Sequence, residues 1–108
     1  MPAGVFHHFG VPTQRKIPGA VYIEGAKVHV TDPAAHPFNV EFVRFEPDSP
    51  MPEQVKRTPH AAFVVDDLDA AVKGRNVIVA PCAVGPDLRI AFISDGDAVI
   101  ELMEMKKQ

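Results

Sequence analysis

The chain has 108 residues, enough for one domain with a core of its own, and 46% of them are hydrophobic. Eleven basic against fourteen acidic residues give a net charge of −3, with both signs scattered and no basic stripe, which argues against nucleic acid as a partner. No apolar run approaches a membrane span, no secretory signal is visible at the N-terminus, and the single cysteine, Cys82, cannot form an internal disulfide, so a reducing, cytoplasmic setting is expected.

Eleven prolines and seven glycines punctuate the chain and favour short strands over a helical bundle. Val5 to Pro12 reads as a first strand, followed by a polar connection from Thr13 to Gly19 that is too short for a stable helix. Ala20 to Glu24 is a second strand turned at Gly25, and Lys27 to Thr31 alternates as a third, half-buried one. A proline-fixed loop, Asp32 to Pro37, leads to a fourth strand, Phe38 to Glu46. The proline-rich stretch from Pro47 to Pro52 can continue neither strand nor helix, so residues 47–58 read as a linker.

The second half opens on Pro59-His60-Ala61-Ala62-Phe63-Val64-Val65, a strand running into a capped helix. His60, Ala62 and Val64 share one face; Ala61, Phe63 and Val65 share the other, which is more apolar and expected to pack on a helix. Asp66 or Asp67 can cap that helix, Leu68, Ala71 and Val72 form its apolar stripe, and Gly74 can end it. Asn76 to Ala80 is the next strand, and Pro81 to Asp87 a loop that carries Cys82, which has no base beside it and reads as inert. Leu88 to Ser94 and Ala98 to Met105 are strands joined at Asp95-Gly96-Asp97, a hairpin turn.

The halves repeat. Each is a strand, a connection and three more strands, with module 1 at about 5–46 and module 2 at about 59–105. His8 stands two residues before Gly10 as His60 stands two before Ala62, and Glu41 and Glu101 occupy the middle of each half's last strand. The spacing from histidine to glutamate is longer in the second half by about the helix that only this half keeps. The expected fold is therefore α+β, two βαβββ modules with the first helix eroded.

Two histidines and two glutamates thus hold equivalent places in equivalent modules. Related by a pseudo-twofold axis, His8, Glu41, His60 and Glu101 would converge in one cleft. Each glutamate lies on an otherwise apolar strand face, where an isolated charge is costly and calls for a partner or a metal. Two imidazoles and two carboxylates suit one divalent ion such as Zn, Ni, Co, Mn or Fe. The plainer alternatives are a packing or capping role for His60 and a pairing of Glu41 with a basic residue elsewhere in the sheet. His7 should face away from His8 and lie at the surface, Glu104 falls on the face opposite Glu101, and Met103 fills space beside the site. His29 and Tyr22 are candidates for the cleft wall, though an exposed strand histidine is commoner; His36, between prolines, faces solvent.

The stretches FHHFGVPT, FNVEFVRFE, PHAAFVVDDLDAAV and AFISDGDAVIELMEM cover most of the chain. Together they resemble the vicinal oxygen chelate superfamily, which includes glyoxalase I, bleomycin-resistance proteins and extradiol dioxygenases. The resemblance implies a U-shaped sheet around a central cleft and a metal held by His8, Glu41, His60 and Glu101, or by His8, His60 and Glu101 alone in dioxygenase-like members. It also implies isomerase or lyase chemistry on a small oxygen-chelating substrate through a metal-stabilised enolate, with Glu41 or Glu101 as general base. Sheet edges that must be covered in so short a chain add the expectation of a homodimer. Alternatives within the family are an Fe(II) dioxygenase and a metal-free, drug-binding protein of the bleomycin-resistance type. The chain departs from glyoxalase I in its missing first helix, its shorter length and the lack of a recognisable basic set for glutathione. With no tryptophan and one tyrosine it also lacks the aromatic lining of the drug-binding members.

Overall fold

A computed structural model describes residues 4–106. The described residues form eight strands: β1 (Val5–Pro12), β2 (Val21–Ile23), β3 (Val28–Val30), β4 (Val40–Phe45), β5 (His60–Val64), β6 (Asn76–Ala83), β7 (Leu88–Asp95) and β8 (Ala98–Met105). Two short helices join them, α1 (Glu53–Arg57) and α2 (Leu68–Ala71). The strands make one mixed sheet in the order β2-β3-β4-β1-β5-β8-β7-β6, curled into a half-barrel with few helices, an α+β arrangement. The outer pairs are antiparallel, β1 runs parallel to β4, β5 runs parallel to β8, and the central β1–β5 pair is antiparallel. The first four strands and the last four therefore follow the same order outward from the centre. Among the described residues, 13–19 hold no helix.

The second half is buried on both faces. On the concave face Val55, Ala62, Ile90, Phe92, Val99 and Met103 pack together; on the convex face Val65, Leu68, Ala91, Ile93 and Leu102 pack under α2. Ile90 and Phe92 alternate with Ala91 and Ile93 along β7, which explains a near-continuous apolar run in a strand covered on both sides. Asp67 caps α2 by accepting from the Ala70 N–H at 3.1 Å, and Gly74 takes φ +74° to end the turn that follows. Glu104 accepts from the Leu68 N–H at 2.9 Å and pairs with Arg89, which also holds Asp69. It is a convex-face helix anchor, opposite Glu101 as its position in the strand predicts.

Two stretches differ from their sequence reading. The linker is not wholly irregular, because Glu53–Arg57 is helical. Glu53 pairs with Lys56 and Arg57 along one helix face, and Val55 is driven fully into the concave core. Strand β6 continues through Pro81 and Cys82 to Ala83, where a loop was expected. It is an edge strand with bulges, and a missing N–H is tolerated at a sheet edge.

Candidate metal centre

Sheet register assembles the centre. Gly10 on β1 lies level with Glu41 on β4 and with His60 on β5. One step along, His8 lies level with Ala62, and Ala62 with Glu101 on β8. Laterally paired residues share a face, so two adjacent rows cross the concave side: Glu41–Gly10–His60 and His8–Ala62–Glu101. Each row carries one histidine and one glutamate flanking a small residue, and each small residue leaves room for an imidazole. The need is sharpest at Gly10, where a Cβ would lie 2.2 Å from His60 Cε1 and 2.3 Å from its Nε2 and would displace the ring.

The structure brings all four predicted residues together. His8, Glu41, His60 and Glu101 each offer one donor atom, and these atoms all lie within 4.8 Å of one another. His8 Nε2 is 3.3 Å from both Glu41 Oε1 and Glu101 Oε1, and His60 Nε2 is 3.1 Å from Glu101 Oε1. An ion about 2.1 Å from each donor needs adjacent donors roughly 3.0–3.4 Å apart, so the spacing suits a shared ion. His8 Nε2 and His60 Nδ1 are moreover buried without a hydrogen-bond partner among the described residues. Buried imidazole nitrogens are rarely left so. The group could hold a metal ion, and two carboxylates would neutralise a divalent one.

Electrostatics favour the same grouping. Burial opposes a charge on His8, but Glu101 and then Glu41 outweigh it and push its pKa up to about 9. Burial likewise opposes the charge of Glu101, and the adjacent His60 and His8 imidazoles overcome it, holding the carboxyl below its usual range. Without an ion, a protonated His8 takes the cation's place between two carboxylates.

His7 departs from expectation. Phe6 pairs with Phe63 and His8 with Ala62, so His7 is an extra, bulged residue in β1. The bulge lets Phe6 and Phe9 both face outward while His8 faces in. It also lays His7 against His8, with their Nδ1 atoms 2.8 Å apart, instead of sending the two rings to opposite faces. For His8 to offer its Nε2 lone pair, its Nδ1 must carry the proton and donate to His7, the outer contact that orients a ligating histidine. Only the adjacency of the two histidines in the sequence hinted at this pairing. Phe92, edge-on to the His60 ring at 5.2 Å between centroids, was also missed as a site residue. His29 turns to the outer face, stacked on Tyr22 and 3.3 Å from Glu46, while His36 caps its own loop by accepting from the Phe38 N–H.

Above the four residues is a cavity of about 100 Å³ whose wall is otherwise apolar; Val43, Ile90, Phe92 and Met103 contribute to it. Met103 fills space beside the site as expected.

No protein-family model matches the chain, and no curated protein matches it. Among solved structures it is similar to the crystal structure of a hypothetical protein, BH1468, from Bacillus halodurans C-125. The TM-score is 0.66 at 16% identity, and the match covers 99% of this chain and 98% of that one. That likeness is one of fold, shared from end to end. No helix among the described residues is long and apolar enough to cross a membrane.

Proposed function

We propose that this chain is a divalent-metal-dependent enzyme of the glyoxalase-like kind, built from two βαβββ modules of which the first has lost its helix. Its substrate is a small molecule that chelates the ion through neighbouring oxygens, and its chemistry is isomerisation or cleavage by proton transfer at carbon. The observation that carries this reading is the convergence of two imidazoles and two carboxylates at the floor of an apolar cavity, with the buried His8 Nε2 left without a hydrogen-bond partner among the described residues.

His8, Glu41, His60 and Glu101 would hold the ion. When bound, it supplies Lewis acidity that stabilises negative charge on a substrate oxygen. Glu101 is fixed by contacts to both histidines, whereas Glu41 touches His8 alone and is the more exposed of the two carboxylates, 16% against 10%. Glu41 is therefore the carboxylate free to swing and accept a proton from substrate carbon, and Glu101 stays in place. The apolar wall, to which Val43, Ile90, Phe92 and Met103 contribute, excludes water from the reacting carbon.

One observation favours a second reading. With Glu41 released, His8, His60 and Glu101 form the two-histidine, one-carboxylate set of Fe(II) oxygenases. Metal analysis of the purified protein beside a His60→Ala/Glu101→Ala double variant tests both. The proposal expects about one divalent ion per chain, as for a single four-ligand site, and its loss in the variant. Iron as the bound ion would favour oxygen chemistry. No ion, and none taken up from added Ni²⁺, Zn²⁺, Mn²⁺ or anaerobic Fe²⁺, would leave a metal-free small-molecule binder as the function.

A homodimer belongs to the same proposal. Phe6 and Phe9 expose apolar surface on the convex side of β1, and light scattering should give twice the chain mass.

A further inference from the structure

The cavity over the four residues is not closed. Ile23, Ala26, Met51, Val84 and Ile90 line both it and a second, larger space of about 600 Å³. That space is a slot between the two free edges of the half-barrel: Val21, Tyr22 and Ile23 of β2 flank one side, Cys82 and Ala83 of β6 the other. The two spaces differ in scale. The inner one has room for only a few non-hydrogen atoms, given about 30 Å³ per water in the liquid. The slot is several times larger and opens directly from it.

Charge is distributed just as unevenly. No lysine or arginine lines either space among the described residues, although the chain has eleven. Beyond the four candidate ligands, the only ionic side chain lining either among the described residues is Glu24, exposed at the rim of the slot. A phosphate or carboxylate on a bound molecule would find no counter-charge there and would meet an acidic rim.

We propose that the slot between β2 and β6 holds an uncharged, apolar tail of the substrate, while the substrate's small oxygen-bearing head lies over His8, Glu41, His60 and Glu101. This rests on the metal reading above and adds the substrate class: a compact chelating head on a neutral aliphatic chain, without the anionic groups of a peptide thiol or a sugar phosphate. The continuity of the two spaces and their shared want of cations carry the inference.

Cys82 is exposed, lines the slot and is the chain's single cysteine, so it reports occupancy without any substitution. The protein is first loaded with Co²⁺ and uptake is measured. It is then titrated calorimetrically with three bidentate oxygen chelators: acetohydroxamate, octanohydroxamate and the eight-carbon monohydroxamate that ends in a carboxylate. In parallel, the alkylation of Cys82 by N-ethylmaleimide is followed by mass spectrometry. The eight-carbon neutral chain should bind at least about tenfold tighter than the two-carbon one, through buried methylenes, and the terminal carboxylate should cancel that gain. Octanohydroxamate at saturation should slow alkylation, and acetohydroxamate should not. Normal Co²⁺ uptake with affinities independent of chain length, or alkylation unchanged by the long chain, would overturn the tail and leave the metal reading standing. Failure to take up Co²⁺ would overturn the metal reading and the tail with it.

Discussion

The two halves of the sheet contribute one histidine and one glutamate each, yet they are built to different standards. Residues 60–105 bury apolar side chains on both faces and keep a helix, anchored at Leu68, over the convex one. Residues 5–45 fully bury only His8, Gly10, Val28 and Val43, and leave Val5, Phe6, Phe9 and Val21 exposed. The lateral alignment is the same in both, because register across β4-β1-β5-β8 sets it and helix packing does not. The difference teaches that the second half is the platform and the first half the adjustable jaw. His60 and Glu101 stand on the rigid part; His8 and Glu41 come from the part with less to hold it.

The largest effect should come from striking the platform. Leu68→Ala removes a fully buried side chain from beneath α2 and should cost about 2–5 kcal/mol in urea denaturation. Phe9→Ala, on the exposed face of the first half, should change stability by no more than about 0.5 kcal/mol. Equal costs would erase the distinction between the halves. The same asymmetry should appear in metal affinity. Loss of an outer contact to a ligand costs about 10–100-fold, so Glu101→Gln, which removes a donor touching both histidines, should weaken Co²⁺ binding by more than that. Glu41→Gln should weaken it less, since Glu41 touches only His8. The reverse order would make the first half the firmer holder.

Acidity sharpens the comparison without any substitution. In the metal-free protein the His8 pKa rises from 6.5 to about 9, so its stabilising contribution is complete below pH 6.5 and is lost as pH climbs through 9. Glu101 is shifted down from 4.5, so its contribution is present above that value and is lost on acidification. The metal-free chain should therefore be most stable between pH 4.5 and 6.5 and lose up to about 3 kcal/mol on going to pH 10. A bound ion must displace the His8 proton, so metal affinity should rise about tenfold per pH unit from 7 toward 9, and metal-loaded protein should resist the alkaline loss. Denaturation at pH 6 and 9.5, with and without Co²⁺, measures both.

The convergence of His8, Glu41, His60 and Glu101 was legible in the sequence because it depends on two simple periods: alternation along a strand and repetition between halves. Leu68 under a capped helix and the Gly96 hairpin were legible for similar local reasons. The rest turns on contacts between distant segments. Val55 pulls Glu53–Arg57 into a helix only because the concave core is there to receive it, and Pro81 continues β6 only because that strand is at an edge. Gly10 is marked as a small residue by the repeat, but its requirement for no side chain at all comes from a ring on another strand. The bulge at His7 is invisible to strict alternation, which assigns His8 correctly from Gly10 and then misplaces its neighbour.

That bulge supplies the subtlest difference between the halves. His8 has a partner for its outer nitrogen in His7, whereas the matching position before His60 is Pro59, and His60 Nδ1 is left without one. The less supported half thus carries the better-oriented histidine. His7→Phe keeps a ring in the bulge but removes the acceptor, and should weaken Co²⁺ binding by about 10-fold, the lower end for an outer contact. His7→Gln, whose carbonyl can accept from His8 Nδ1–H, should recover most of that loss. Nitrogen-15 spectra of the loaded protein should show His8 as the Nδ1–H tautomer in the native chain and in His7→Gln. If the phenylalanine variant binds Co²⁺ as tightly as the native chain, the 2.8 Å contact is packing and the first half holds its histidine by the sheet alone.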